Sequence, residues 1–257
     1  MIWIDDQQAL PPTHLALGPD SDAPGLLAIG APVTPARLAE AYSKGVFPWY
    51  SPGQPPLWWT PDPRMVLPVA DFTLSHSLRK SIRRFMRDAY AGRCEIRIDS
   101  AFRAVMQACA AAPREGQDGT WIAPEIIDAY SAWHDQGHAH SVETWVDGEL
   151  VGGLYGVNLG AMFYGESMFA RRSDASKIAL AALVAFCRAH GIDLIDCQQN
   201  TEHLASFGAR EMSRTAFEAH LSRTLGVLGP ADWTYHPGHW AQLGFETAPP
   251  ADQTNRA

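Results

Sequence analysis

Asp196 and Gln198 stand two residues apart at the end of an apolar run, Ile192 to Ile195, in the stretch "LIDCQQNTEHLASFGAR". In an extended strand, residues i and i+2 share a face, so this spacing sets a carboxylate beside an amide. At the exit of an internal strand of an α/β sheet, polar side chains line ligand crevices. Capping of the following turn is the local alternative. Glutamine is essentially non-basic, yet its amide accepts through oxygen and donates twice through nitrogen. The pair therefore suits the positioning of a protonated nucleophile rather than its outright deprotonation. Glu166, in "YGESMF", closes an apolar strand. A carboxylate there either pairs locally or meets a cationic ligand group. Cys197 should face the opposite side, into packing; a cysteine nucleophile with His203 as its base is the lesser reading. His134, His138 and His140 straddle a helix end and a strand with no cysteine nearby, so they make a poor zinc set and no metal is expected.

The elements that must position these residues follow from capping and periodicity. Thr34, Pro35 and Gly45 delimit one helix in a Pro- and Gly-rich opening segment whose aromatics include Trp49, Tyr50, Trp58 and Trp59. A second helix is expected over 77–90. A strand "CEIRI" then ends at Asp99, expected to cap a helix through Ala112, and Pro124 opens another closed near Gly137. "HSVETWV", "ELVGGLYGV" and "AMFYGES" read as three strands joined by tight turns. A long helix over 174–190, the strand carrying Asp196, a short helix over 202–207 and a helix after Ser213 complete the order. The expected fold is α/β (α+β) with a central mixed sheet. Three regions are expected: a small loop-rich N-terminal domain (1–72), a larger domain (73–228) with the element order of GNAT-like acyltransferases, and an extended tail (229–257) whose last ten residues are expected to be disordered.

The chain has 257 residues, 46% of them hydrophobic and 19% charged, which fits a soluble globule with a sizeable core. No run approaches the ~18–20 apolar residues of a membrane span. "MIWIDDQQALPP" lacks the basic and apolar regions of a secretion signal. Four cysteines without a C-x-x-C pair suit reduced thiols in the cytoplasm. The net charge of -8 is unevenly spread, because residues 79–103 hold eight basic residues against Asp88, Glu95 and Asp99. In "SHSLRKSIRRFMRDAY", Leu78, Ile82, Phe85 and Met86 fall on one side of the helical wheel. Arg79, Lys80, Arg83, Arg84 and Arg87 fall on the other. Such a face is either merely solvated or laid along phosphates. Before the long helix stands "ARRSDASKIAL", not the R-x-x-G-x-G or A loop that gives coenzyme A free backbone N–H groups for its pyrophosphate. Neither a G-x-G-x-x-G nor a Walker loop is present.

"GLLAIGAPVTPARLAEAYSKGVFPWY", "PLWWTPDPR", "HSLRK", "TWIAPEIIDAY", "GHAHSVETWVDGELVGGLYGV", "FYGESMF", "ASKIAL" and "IDCQQNTEHLASFGARE" occur in order over about residues 24–220. In these the chain resembles the bacterial leucyl/phenylalanyl-tRNA–protein transferases. It departs at Ala31-Pro32, where the family usually has Gly-Asp, and the tail past about residue 228 lies outside the resemblance. The resemblance implies a small N-terminal domain plus a GNAT-like domain. It implies transfer of leucine or phenylalanine, and methionine less well, from aminoacyl-tRNA to proteins beginning with Arg or Lys, marking them for degradation. It implies no cofactor. Asp196 and Gln198 match the family's proposed catalytic pair, and Glu166 matches the acidic residue of its substrate cleft. Leu154, Phe163, Met168, Leu180, Leu183 and Ile195 would line the pocket for the aminoacyl side chain. Trp59 and Trp121 would flank the terminal adenosine, and the basic face from Arg79 to Arg87 would hold the acceptor stem by its phosphates. A monomer is expected. A coenzyme A-dependent acyltransferase of the same fold and a non-catalytic tRNA-binding module are the rival readings.

Overall fold

The structure, a computed structural model, describes residues 1–113 and 120–247. Its N-terminal region builds a sheet that composition does not announce. β1 (Trp3–Ile4), β2 (Leu26–Gly30), β3 (Phe47–Pro48) and β4 (Leu57–Trp59) pair in the order β1-β2-β4-β3. Strands this short carry too little alternation to stand out among prolines and glycines. The expected helix is present as α1 (Pro35–Ser43): the Thr34 hydroxyl accepts the Arg37 N–H at 3.2 Å, and Gly45 follows at φ +71°. α1 serves two cores at once. Ala41 packs with fully buried Trp58 in the small sheet's cluster, while Leu38 and Tyr42 pack with Phe47 and Tyr50 against the larger sheet.

The larger sheet begins at Arg64, before the expected boundary at 72. It contains β5 (Arg64–Pro68), β6 (Cys94–Ile98), β7 (Ala139–Val146), β8 (Glu149–Leu159), β9 (Met162–Ala170), β10 (Leu194–Gln198) and β11 (Arg210–Met212). Their order is β11-β5-β10-β9-β8-β7-β6. Every neighbouring pair is antiparallel except β9 with β10. Helices cover both faces, which is how a mixed sheet buries its two apolar sides. α2 (His76–Tyr90) and α5 (Ala175–Ala189) pack on one side. α1, α3 (Phe102–Ala111), α4 (Pro124–His134) and α7 (Arg214–Thr224) pack on the other. The short α6 (Glu202–Ala205) follows β10. In α2 the buried residues are Leu78, Ile82, Phe85 and Met86, as the wheel requires.

Two expectations are corrected. Asp99 does not cap α3; it turns back at φ +59° to accept the Ser141 N–H at 2.8 Å and to pair with His140 Nδ1 at 2.7 Å. Buried Glu143 instead accepts the N–H of Ala101, the residue just before α3, at 2.7 Å. A carboxylate from a neighbouring strand can satisfy helix-start donors as well as a local one. The tail is not extended over its described part. A 3₁₀ helix over Pro237–Leu243 lies against α5, and Trp240, Leu243 and Phe245 enter the core beneath α2 and α5. Each such side chain contributes about 1.5–3 kcal/mol of burial. Arg188 fixes the arrangement by donating to the Gln242 and Val69 carbonyls, both at 2.8 Å. The expected disorder of the last ten residues concerns 248–257, outside the described residues.

Candidate active site

The parallel step of the large sheet is short. Ile195 lies beside Phe163 and Asp196 beside Tyr164; β9 then continues to Ala170 while β10 stops at Gln198. Glu166 and Ser167 of β9 and Cys197 and Gln198 of β10 line a cavity of about 250 Å³ beyond this point. Trp49, from the N-terminal region, and Trp121 line it too.

Two bulges aim the polar groups. Tyr155 pairs with Ser167 and Gly156 with Gly165, which leaves Glu166 as an extra residue. A bulged residue re-aims a side chain and reverses the alternation after it. Tyr164 faces the α1–α4 side, with Glu166 bonded to the Tyr42 hydroxyl there, and Met168 returns to the α5 side. A Cβ on Gly156 would lie 2.3 Å from the Tyr164 carbonyl oxygen, so this close approach needs glycine. On β10, Asp196 is opposite Val66 and Gln198 opposite Met65, with Gln198 at φ +61°. The simple i, i+2 alternation expected for this pair therefore fails, and the two side chains have different surroundings.

Asp196 is fully buried and does not line the cavity. Its Oδ1 accepts from Arg64 Nε at 2.8 Å, and its Oδ2 from Arg64 Nη2 at 2.6 Å. Oδ1 also accepts the Gln198 N–H at 2.9 Å, which fixes the left-handed turn. Arg64 is itself buried between the rings of Phe47 and Phe217, each 4.8 Å from the guanidinium carbon, and donates to the Gly45 carbonyl at 2.9 Å. A bidentate pair of this kind is rigid as well as charge-satisfying.

Gln198 Nε2 donates to Glu166 Oε1 at 2.7 Å, and the Tyr42 hydroxyl donates to the same oxygen at 2.5 Å. The Tyr130 hydroxyl lies 2.6 Å from that of Tyr42. Glu166 Oε2 is buried and has no hydrogen-bond partner among the described residues. Burial pushes the Glu166 carboxyl up to about 8, and the Asp196 charge adds to this; Tyr42, Arg64 and Gln198 oppose it. Burial, then the Glu166 charge, keeps the Tyr42 hydroxyl well above its ordinary value, so it remains a donor. With the NH₂ end of Gln198 turned to Glu166, its carbonyl oxygen is left for a donor in the cavity.

The apolar residues expected to form the side-chain pocket do gather. Leu154, Phe163, Leu180, Leu183 and Ile195 are buried in one cluster, with Met168 half-buried against it. None of the six lines the 250 Å³ cavity itself; Cys197 and Leu204 belong to its wall and pack on the same cluster. Trp121 lies in the cavity wall, whereas Trp59 packs edge-on against Trp49 at 5.7 Å. Lys80, Arg83, Arg84 and Arg87 are exposed on α2 and Arg79 is partly buried. Only Arg84 of these five is near a carboxylate among the described residues, 3.8 Å from Asp88. Burial raises the Cys197 thiol strongly, against a thiolate nucleophile, and His203 packs edge-on against Phe207 at 5.0 Å. His134 meets the Ala139 carbonyl oxygen at 2.7 Å, His140 pairs with Asp99, and His138 tilts against Trp133. The described residues hold no group of three or more His, Cys, Asp or Glu placed to bind a metal ion.

Sequence reasoning missed Tyr42, Arg64 and Tyr130 as members of this site. Arg64 did leave a signal: an arginine heading the apolar strand "RMVLP" needs a buried anion, and Asp196 ends another apolar strand.

Sheet order and helix layers make this an α+β protein built on a mixed seven-stranded sheet. The chain belongs to the leucyl/phenylalanyl-tRNA–protein transferase family, whose description matches residues 66–222, with the family's N-terminal domain matching 32–62. A leucyl/phenylalanyl-tRNA–protein transferase of Methylibium petroleiphilum is 65% identical over 96% of this chain and 92% of its own length. One from Leptothrix cholodnii is 64% identical over 94% of each chain, and one from Burkholderia multivorans 55% identical over 97% and 96%. A solved structure from Bacteroides thetaiotaomicron, described as a conserved protein of unknown function, is 16% identical over 65% of this chain and 57% of its own, with a TM-score of 0.40.

Proposed function

We propose that this chain moves leucine or phenylalanine, and methionine less well, from aminoacyl-tRNA to the α-amine of proteins that begin with arginine or lysine. The observation that carries the acceptor reading is Glu166 Oε2: a buried carboxyl oxygen, unpartnered, beside a cavity that Gln198 also lines. A guanidinium or ammonium group would satisfy it. The α-amine of the same residue would then donate to the free carbonyl oxygen of Gln198.

The ester of aminoacyl-tRNA is already activated, so placement is the main task. The neutral amine attacks the ester carbonyl carbon. The new C–N bond forms, the C–O bond to the ribose breaks, and the amine's proton ends on the departing ribose hydroxyl or in solvent. With both carboxylate oxygens of Asp196 engaged, its role is to hold Gln198 in place rather than to take that proton itself. The donor's side chain points to the apolar cluster behind Cys197 and Leu204. Trp49 and Trp121 offer stacking faces for the terminal adenosine, worth about 1–3 kcal/mol per base. Trp59 supports Trp49, its indole N–H donating to the Trp49 carbonyl at 2.7 Å. The cationic face of α2 follows the acceptor stem. The enzyme works as a monomer in the cytoplasm, without a cofactor.

A coenzyme A-dependent reading is disfavoured at the start of α5, where pyrophosphate would bind. Asp174 stands there as a carboxylate, accepting from Ser81 at 2.7 Å and pairing with Lys177 at 3.3 Å. The test mixes the protein with Leu-tRNA carrying labelled leucine and an Arg-starting peptide, without ATP or coenzyme A. Label should pass to the peptide. No transfer, with tRNA bound and intact, would favour the binding-module reading.

A further inference from the structure

The described tail packs directly on the cationic helix, and this contact is specific in kind. The ring of Phe245, buried in the core, lies 5.3 Å from the Arg79 guanidinium carbon. The Tyr90 hydroxyl, at the other end of α2, donates to the Thr247 carbonyl at 2.6 Å. Between these two contacts a groove of about 400 Å³ runs along the helix, with Arg83 and Arg87 on one wall and Gly244, Phe245 and Glu246 on the other. Neither Arg83 nor Arg87 has a carboxylate within 4.0 Å among the described residues, and Glu246 is exposed at the groove.

We propose that the C-terminal segment is part of the RNA-binding surface: it fixes Arg79 through Phe245 and walls a groove in which Arg83 and Arg87 hold a backbone phosphate of the tRNA. This rests on the tRNA reading above. The occupant follows from charge and shape. Two unneutralised guanidiniums spaced one helical turn apart match phosphate oxygens, and they continue the row formed by Lys80 and Arg84. Phe245 is a positioning residue, since it touches Arg79 and not the RNA. Among the described residues Glu246 is the one carboxylate lining the groove, and it opposes a phosphate there, so it limits affinity.

The experiment measures deacylated tRNA binding to the full chain between 50 and 200 mM salt (roughly the range where phosphate contacts are most salt-sensitive) for wild type, Phe245→Leu, Glu246→Gln and Arg87→Ala. Transfer is followed in parallel from Leu-tRNA and from a leucyl ester of adenosine, which has no stem. Leucine at 245 keeps the core filled while removing the ring face. Phe245→Leu should weaken tRNA binding about two- to fivefold and leave transfer from the adenosine ester unchanged. Glu246→Gln should tighten tRNA binding at low salt, with the gain fading as salt rises. Arg87→Ala should make the slope of log K against log salt shallower by about one. If Phe245→Leu and Glu246→Gln bind tRNA with the wild-type Kd and slope, the tail plays no part. If Arg87→Ala leaves the slope unchanged, the groove holds no phosphate. Loss of transfer from both donors in the wild type, with these binding effects intact, would instead sink the transferase reading and spare the surface.

Discussion

Asp196→Ala should lose both stability and transfer, and only stability should return when Arg64 is replaced as well. The carboxylate neutralises a guanidinium that is buried between two phenyl rings. Removing one partner of such a pair leaves an uncompensated buried charge and costs about 3–5 kcal/mol. In a chain of this size that corresponds to a fall in Tm of about 10 °C. Replacing both partners by apolar side chains of similar volume is nearly neutral for stability. The double variant Asp196→Ala, Arg64→Met should therefore regain most of the lost Tm. It still lacks the acceptor that holds the Gln198 N–H, so Gln198 is free to leave its left-handed turn. Transfer should stay down by about a hundredfold, the scale of a misplaced reacting group. Paired measurements of Tm and single-turnover transfer decide this. Wild-type transfer in the double variant would show that Asp196 does nothing for the site beyond neutralising Arg64.

Glu166→Gln should remove the preference for Arg- over Ala-starting acceptors and change the pH profile of the reaction. A hydrogen bond to a charged group is worth about 1.5–3 kcal/mol, so the Arg:Ala ratio of kcat/KM should fall roughly ten- to a hundredfold. The pH effect follows from the raised carboxyl, at about 8. Below that pH the side chain is mostly protonated, and a cationic acceptor must expel the proton to bind. The α-amine, with an ordinary pKa of about 8, must also lose a proton to attack. With an Arg-starting peptide, log(kcat/KM) should therefore climb with a slope approaching about two below pH 7, and with a slope of about one in Glu166→Gln. Stability moves the opposite way. A carboxyl whose folded pKa is raised binds its proton more tightly when folded, so its contribution is complete below the unfolded value, ordinarily about 4.3, and is lost as pH rises through about 8. Glu166→Gln should gain Tm relative to wild type between pH 5 and 8. Equal slopes in the two proteins would remove Glu166 from acceptor recognition.

Much of the architecture could be read from pattern because α1, α2 and the β7–β9 meander carry local signals: a Thr cap with Pro behind it, a clean apolar stripe, and turns at Asp147-Gly148 and Asn158-Leu159-Gly160. The small N-terminal sheet could not, because a strand such as Phe47–Pro48 has no period. The tail's anchors Trp240, Leu243 and Phe245 sit among glycines and prolines without a repeat, so their docking on α5 depends on a surface far away in sequence. The candidate site divides in the same way. Asp196, Gln198 and Glu166 were visible as polar residues closing apolar strands. Their relations were not, since the bulges at Glu166 and Gln198 break the alternation from which a shared face is inferred. Tyr42 and Tyr130 look like core residues of amphipathic helices, and they are; only the fold shows that the Tyr130 hydroxyl meets that of Tyr42, which donates to the Glu166 carboxyl.

The most direct test of this division of labour is single-turnover leucyl transfer by Gln198→Ala, with Leu-tRNA and an Arg-starting peptide. The protein should keep its Tm within a few degrees (about 1 kcal/mol at most, for loss of one half-exposed amide) and bind tRNA as wild type. Its transfer step should be slower by about a hundredfold, because the group that aligns the amine is gone while Asp196 and Arg64 remain paired. Transfer within about threefold of wild type, well below the scale expected of a positioning group, would contradict the account. The amine would then be aligned by some other group.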